Sequence, residues 1–569
     1  MDEKMENKFD VAIVGAGPAG SAAAIKLARS GYDVLVLEKT QIPGQRNVSG
    51  GVLFGSFVNG LGLIDLVPEF ESVAPVERKI VGHELYLLSQ PKRMNGESTY
   101  RYLKMDKSSL LTRLGLTMLD ASTGHDYSVL RVKFDRWMAS VAAEEGAMVV
   151  TRKTVEDLIW RNGQVIGVKT PDEEIYANLV IDCAGVTSLL PEKAGIRGKM
   201  TPEKTYHGVK HVFRVSSSRI DEFFSYGDGY KSVYLLGDFM HGIVGGGFVY
   251  PNKDTVSVGI VLDLAQAMAT LSTNFTEVGK AIDLLTEMEN HPFLGPLLEG
   301  ATLLEYSAHN IPRGYKVLPE KPYAPGFLMA GDSLGVFYKI GALIDGMRPA
   351  IASGIAAANT YIEAEKRKDF GETSLSVYRR YLEPLYDRVR KSKTNSVLIE
   401  RKIFYSVAPS IVFTLGLGRS TKSPQPNTIP NDRDALQLIQ QLIGKLDYDE
   451  DKTRSHIIVD ENKASLQGLK AWIPMCPVNC YTLVTEKGVY GSFKDLYRFN
   501  LEKLLAQGFD HEAAARKAVE VTREDIRNGL LKFDHVACVA CGTCGVIGPP
   551  EIVKFGHEWW GHGVKYRYG

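Results

Sequence analysis

Two groups of residues have types and spacing that could do chemistry. The first is Gly15-Ala16-Gly17-Pro18-Ala19-Gly20, set between an apolar run at 11–14 and an Ala-rich stretch, with a second apolar run at 34–37 closing on Glu38 and Lys39. This is the GxGxxG signature in its strand–loop–helix–strand–acid setting, which binds the pyrophosphate of a dinucleotide. Gly15 supplies the tight turn, Gly17 the close approach of backbone to phosphate, and Gly20 the packing of helix on sheet; Glu38 is placed to accept from ribose hydroxyls. The second group is Cys538-Val-Ala-Cys541-Gly-Thr-Cys544, with Cys476-Pro-Val-Asn-Cys480 upstream. Three thiolates at C-x2-C-x2-C spacing hold one iron–sulfur cube, and a fourth ligand must come from elsewhere. The slot that would carry a further Cys-Pro holds Gly548-Pro549 instead, which predicts a single cluster closed by Cys476, with Cys480 as the alternative. Zinc is the competing metal, but its sites usually pair two CxxC knuckles. With four thiols available, His557 and His562 are expected to be surface or packing residues.

The remaining candidates belong to the elements that must position a dinucleotide. The loop Gln45-Arg46-Asn47-Val48-Ser49-Gly50-Gly51 either lies along the diphosphate or flavin ring or is a surface turn. Residues 129–146 have apolar side chains at helical spacing, with Arg131 at the start. Asn162-Gly163 predicts a hairpin between Val149-Val150 and residues 165–168. A strand at 179–182 runs into Cys183-Ala184-Gly185; Cys183, standing alone, reads as a buried small side chain. A later strand enters Gly331-Asp332-Ser333, followed by a small-residue helix from Gly341-Ala342 onward. Downstream of the fingerprint, that acid and helix form the second half of a discontinuous flavin-binding domain. No second GxGxxG unit is visible, so FAD is expected without a nicotinamide domain.

The expected fold class is α/β combined with α+β. An FAD-binding domain at 1–75, 130–204 and 322–400 carries an inserted antiparallel-sheet substrate domain at 76–129 and 205–321. A linker at 420–455, opening with the polar stretch 420–434, precedes a ferredoxin-like domain at 456–569. The chain has 569 residues, with 67 basic and 67 acidic side chains, so it has no nucleic-acid footprint. Its polar start predicts no signal peptide. Five of the six cysteines fall after residue 470, which argues metal ligation rather than a disulfide framework. Residues 403–417 are mostly apolar between basic flanks and interrupted by Pro409. They are too short for a span of about 20 residues. They suit either a segment lying in the membrane interface or a buried helical hairpin.

With the fingerprint, Asn47-Val48-Ser49-Gly50-Gly51, Gly331-Asp332, Asp345-Gly346-Met347-Arg348-Pro349 and the cysteines assembled, the chain resembles the electron-transfer-flavoprotein:quinone oxidoreductase family over nearly its whole length. The prokaryotic form, a flavoprotein subunit with a ferredoxin-like partner, looks fused here. The resemblance implies FAD and one [4Fe–4S] cluster on Cys476, Cys538, Cys541 and Cys544, passing electrons from a two-subunit electron-transfer flavoprotein to a membrane quinone. It implies no catalytic acid or base, a peripheral place on the cytoplasmic side of the cell membrane, and membrane contact at 401–419. Work alone or inside a bifurcating complex is equally compatible. A departure is the helical insert at 494–528. The competing readings are a flavin-dependent isoprenoid (geranylgeranyl) reductase with a fused electron inlet, separable by its saturated lipid product, and a zinc-stabilised docking module.

Overall fold

The computed structural model describes residues 8–48, 51–94, 97–105, 123–340, 343–399, 408–422, 445–449 and 454–569. The fingerprint forms β1 (Lys8–Val14), α1 (Pro18–Arg29) and β2 (Val34–Glu38). Pro18 opens α1, where its missing N–H costs no hydrogen bond. The run Val34–Glu38 is buried throughout, as a strand covered on both faces must be. Later parts of the chain complete this sheet: α2 (Arg131–Glu144) leads to β3 (Met148–Thr151), followed by β4 (Glu174–Asp182) and β5 (Phe327–Met329). The order β5-β4-β1-β2-β3 is parallel throughout. Val14 pairs with Leu37 on one side and Asp182 on the other, and Asp182 with Met329. All four strands therefore end level, and the segments leaving them meet at the carboxyl edge, where open α/β sheets bind ligands.

Helix α3 (Met347–Glu365), expected to begin near Gly341, starts only after the short strand Leu343–Asp345, which pairs with Tyr338–Ile340, and it packs on α1. A Cβ on Gly354 would meet the Ala19 carbonyl oxygen at 2.1 Å, and one on Gly20 the Gly15 carbonyl oxygen at 1.9 Å. The small residues of both helices permit that approach.

The second sheet follows the order Thr302–Pro312, Thr205–Arg214, Thr255–Asp263, Gly245–Pro251, Gly229–Gly237, Val76–Leu88, Glu97–Met105, Arg419–Lys422. Neighbours along it are antiparallel except Gly229–Gly237 with Val76–Leu88. Two expectations are corrected here. Residues 420–422, expected to begin a linker, extend this sheet by pairing with Thr99–Arg101, because edge hydrogen bonds compensate for a polar sequence. The Asn162-Gly163 hairpin joins Asp157–Arg161 to Gln164–Lys169, while Val149 and Val150 lie in β3 beside β2. The turn chemistry was legible, with both residues at positive φ, but strand partnership is decided by the sheet.

After residue 445 come three small antiparallel pairings: Asp447–Asp449 with Gly563–Lys565, Ile457–Val459 with Val553–Phe555, and Tyr481–Thr485 between Gly488–Tyr490 and Leu530–Phe533. Helices Phe493–Ala506 and His511–Asn528 occupy the expected insert, N-capped by Ser492 and Asp510. The two helices hold a small apolar cluster of their own, Leu504, Ala514 and Ala518, while the rest of the region shares its core with the second sheet. Leu235, Ile260 and Met288 of the second sheet and its helices join Trp472, Cys480, Leu531 and Tyr566 in one continuous apolar cluster.

Residues 403–407 and most of the expected linker lie outside the described residues. Within the expected membrane segment, Ala408–Thr414 is helical, with Phe413 buried while Ile411, Leu415 and Leu417 are 54, 72 and 52 % exposed. No described helix is long and apolar enough to cross a membrane.

Candidate functional site

The carboxyl edge of the parallel sheet opens into a cavity lined by Gly15, Gly17, Pro18, Ala19, Glu38, Lys39, Arg46, Val48, Gly51, Arg131, Ala184, Gly185, Gly331 and Asp332. Fourteen residues singled out from sequence are thus brought together. Gly20 stands behind them in the helix, and Ser49, Gly50, Gly341 and Ala342 lie outside the described residues. Gly15 has φ +99°, and a Cβ there would meet the Cys183 carbonyl oxygen at 2.6 Å, so the turn admits only glycine. Glu38 accepts from the Ala16 and Thr40 amides at 3.0 and 2.9 Å and from the Thr40 hydroxyl at 2.7 Å. Its carboxylate braces the glycine loop as well as facing the cavity.

Cations dominate the polar lining. Arg131 grips Asp135 in a two-pronged pair at 2.7 Å, and Asn47 donates to the same carboxylate. Burial pushes the Asp332 carboxyl up to about 6, with Arg131 opposing the shift. The Gly331 amide donates to Ser353 Oγ at 2.8 Å, tying the acid-bearing turn to α3. Sequence reasoning missed Lys153, Thr154, Lys210, His309, Ala540 and His557, which line the same cavity from remote parts of the chain. His557, expected to pack or face solvent, contacts Lys39 Nζ through Nδ1 at 3.1 Å. His562 is half-buried against the Asp449 carbonyl and is not among the residues that line the thiol pocket. Cys183 lines the cavity as a buried thiol pushed well up by burial.

A second, small pocket is lined by Cys476, Cys480, Cys538, Cys541 and Cys544 with Trp472, Tyr481 and Phe555. The Cys480 and Ala540 amides donate to Cys476 Sγ and Cys538 Sγ, both at 3.3 Å. Hydrogen bonding from Cys480, against burial and with His456 assisting, pushes the Cys538 thiol down to about 5. Burial pushes Cys541 up to about 12. Lys280, fully buried, donates to the carbonyls of Ile473 and Cys476 at 2.9 and 2.8 Å. Among the described residues no three His, Cys, Asp or Glu converge on one ion-sized point. Five sulfurs instead surround a cavity with an otherwise apolar wall, a donor set that fits a multi-iron cluster bearing its own sulfide.

The two cavities share a wall. Ala540 lines the first, while its neighbours Cys538 and Cys541 line the second. Thr543 lies in that wall, bonded to Cys541 Sγ at 3.3 Å, His207 Nδ1 at 3.0 Å and Asn310 Oδ1 at 2.8 Å. A third, aromatic slot formed by Tyr206, Tyr234, Gly245, Gly246, Gly247, Phe248 and Tyr250 adjoins the first cavity through Phe248, Val261 and Ile344.

Comparison with known proteins gives three findings. The family described as FAD dependent oxidoreductase matches residues 10–228. Protein FixC of Escherichia coli K12 is 36% identical over 404 residues, 70% of this chain and 87% of its own. The same organism's probable electron transfer flavoprotein-quinone oxidoreductases YdiS and YgcN are 33% and 31% identical over 66% and 72% of this chain, and 82% and 89% of theirs. Among solved structures, a geranylgeranyl bacteriochlorophyll reductase-like protein from Thermoplasma acidophilum has a TM-score of 0.53 at 21% identity, covering 72% of this chain and 91% of its own. At that identity the likeness is one of fold.

Proposed function

The chain belongs to the family of FixC and the probable electron transfer flavoprotein-quinone oxidoreductases, a family of FAD-dependent oxidoreductases, and from this premise we propose that it relays electrons from a reduced electron-transfer flavoprotein to a membrane quinone by way of FAD and one [4Fe–4S] cluster. The observation that carries the proposal is the shared wall: Ala540 faces the nucleotide cavity from between two cysteines of the thiol pocket. When bound, the two groups supply one-electron transfer; the protein's task is to hold them close, oriented and shielded.

FAD fits the first cavity by its chemistry. The glycine turn and the start of α1 suit a diphosphate, and Lys39, Arg46 and Arg131 offset its charge. Cys476, Cys538, Cys541 and Cys544 would hold the cluster. Cys480, which lies between Cys476 and Cys538 and bonds to both, remains the alternative to Cys476. The 205–321 and 76–129 segments act as a quinone domain and the 456–569 segment as a ferredoxin-like domain docked on it. The aromatic slot beside the FAD cavity, lined by three glycines and three tyrosines, suits a flat quinone head. Exposed Ile411, Leu415 and Leu417 then form the membrane-contacting surface, flanked by Arg101, which bonds the Gly416 carbonyl, and by Arg419. The isoprenoid-reductase reading draws on fold likeness only.

Iron, acid-labile sulfide and flavin analysis of the purified chain tests the cofactor set. The proposal expects four irons, four sulfides and one FAD per chain, the content of one cube and one dinucleotide. Zinc in place of iron would remove the relay.

A further inference from the structure

The nucleotide cavity is closed at its Glu38–Thr40 end by residues from the far end of the chain. Glu558, 3 % exposed at its side chain, pairs with Arg46 at 2.6 Å, and its backbone carbonyl accepts from the Thr154 hydroxyl at 2.8 Å. Its neighbour His557 lines the cavity and contacts Lys39. Gly561 forms an isolated parallel bridge with Thr40. A Cβ on Gly563 would meet Arg46 Nη2 at 2.5 Å, so this turn fits round the guanidinium. Arg46 Nη2 is itself buried without a hydrogen-bond partner among the described residues, although Arg46 lines the cavity. A half-satisfied buried guanidinium beside a phosphate-type loop lacks an acceptor that a bound anion could supply.

We propose that residues 557–563 are a clamp on the adenosine-diphosphate half of the bound dinucleotide: Glu558 holds Arg46 in place, His557 holds Lys39, and retention of the dinucleotide therefore depends on docking of the cysteine-bearing region. The inference takes FAD as the dinucleotide and needs neither the quinone nor the identity of the metal. The charges agree with it. Burial raises the Glu558 carboxyl, yet Arg46, His456 and Lys39 overcome this and hold it down at about 2; burial pushes His557 down to about 3, which keeps its ring neutral beside the lysine. By linkage the coupling runs both ways: dinucleotide binding must stabilise the docked C-terminal region to the extent that docking tightens binding. The FixC relative, matched over 404 residues that make up 87% of it, is a shorter chain, so such a clamp is a property to be tested here and not carried over from it.

The test uses the full-length chain. FAD release is followed as recovery of free-flavin fluorescence after dilution of wild type, E558Q, H557Q and the conservative E558D. Loss of a buried charge partner acts on off-rate, and E558Q is expected to release FAD about tenfold faster or more, with H557Q accelerated less and E558D least. Wild-type release rates in both E558Q and H557Q, with visible absorbance of the thiol site intact, would overturn the clamp. If E558Q does not fold, amide exchange of wild type decides: FAD is expected to protect residues 553–566, and equal exchange with and without FAD overturns the proposal. A wild-type chain that takes up no FAD at all fails the cofactor reading instead.

Discussion

The nucleotide cavity and the thiol pocket sit side by side and are built on opposite principles. The first draws on many separated stretches of chain, joins strand ends to remote loops, and is lined by glycines and cations. The second comes from two short stretches, 476–480 and 538–544, inside an apolar shell shared with the neighbouring sheet. A dinucleotide carries charge and many polar atoms along an extended shape, so its site needs backbone amides and cations spread over a distance. The iron–sulfur cluster proposed for the second would be compact, with hydrogen bonding and burial round its thiolates setting its potential. One site is thus assembled by the fold, the other by local spacing, and the fold's contribution to the second is to press it against the first.

Cysteine substitution should separate the two most strongly. Cys538→Ser and Cys541→Ser are expected to lose iron and sulfide to background while the chain still takes up FAD; loss of FAD binding altogether, measured on the same sample, would show that the pockets are one folding unit. Cys476→Ser and Cys480→Ser sharpen the ligand choice, with iron lost in the first and kept in the second.

The reverse cut is Gly15→Ala. The new Cβ meets backbone at 2.6 Å in a positive-φ turn. The strain costs about 1–3 kcal/mol. The variant should be isolated with iron and little flavin, as absorbance will show.

Lys280→Met is expected to be milder. It leaves the Ile473 and Cys476 carbonyls without their buried donor, at a cost of about 1–3 kcal/mol. Denaturant melts of the chain should show this, whereas Lys280→Arg should recover part of it.

The smallest effect is on pH dependence, and its sign differs between the sites' flanking acids. Asp332 has its carboxyl raised from 3.8 to about 6 by burial, so its protonated form is favoured on folding. FAD-free protein should lose stability as pH rises from about 4 to 6, and Asp332→Asn should flatten that slope. Glu558 is depressed from 4.5 to about 2, so its contribution is present above 4.5 and lost as pH falls towards 2. Melting temperature against pH for Asp332→Asn and Glu558→Gln checks both signs.

What the sequence made legible follows the same division. The glycine loop, Glu38 and Gly331-Asp332 were readable because turn geometry imposes short fixed spacings, and the five thiols stood out by the spacing that the proposed cluster would require. Lys153, Lys210, Ala540 and His557 were not, since they reach the cavity by sheet order and docking over hundreds of residues and carry no local pattern. His557 meets Lys39 across 518 residues of chain, a contact that nothing in its neighbouring sequence signals. The strand at Arg419–Lys422 was hidden for a similar reason: a polar edge strand looks like a linker until its partner is known.

The most direct test of the side-by-side arrangement is an anaerobic absorbance titration of the purified chain with reduced electron-transfer flavoprotein, followed by a soluble quinone. The account predicts that flavin and cluster bands both bleach and that quinone restores both. Flavin that bleaches while the cluster band and the quinone stay unchanged would contradict it.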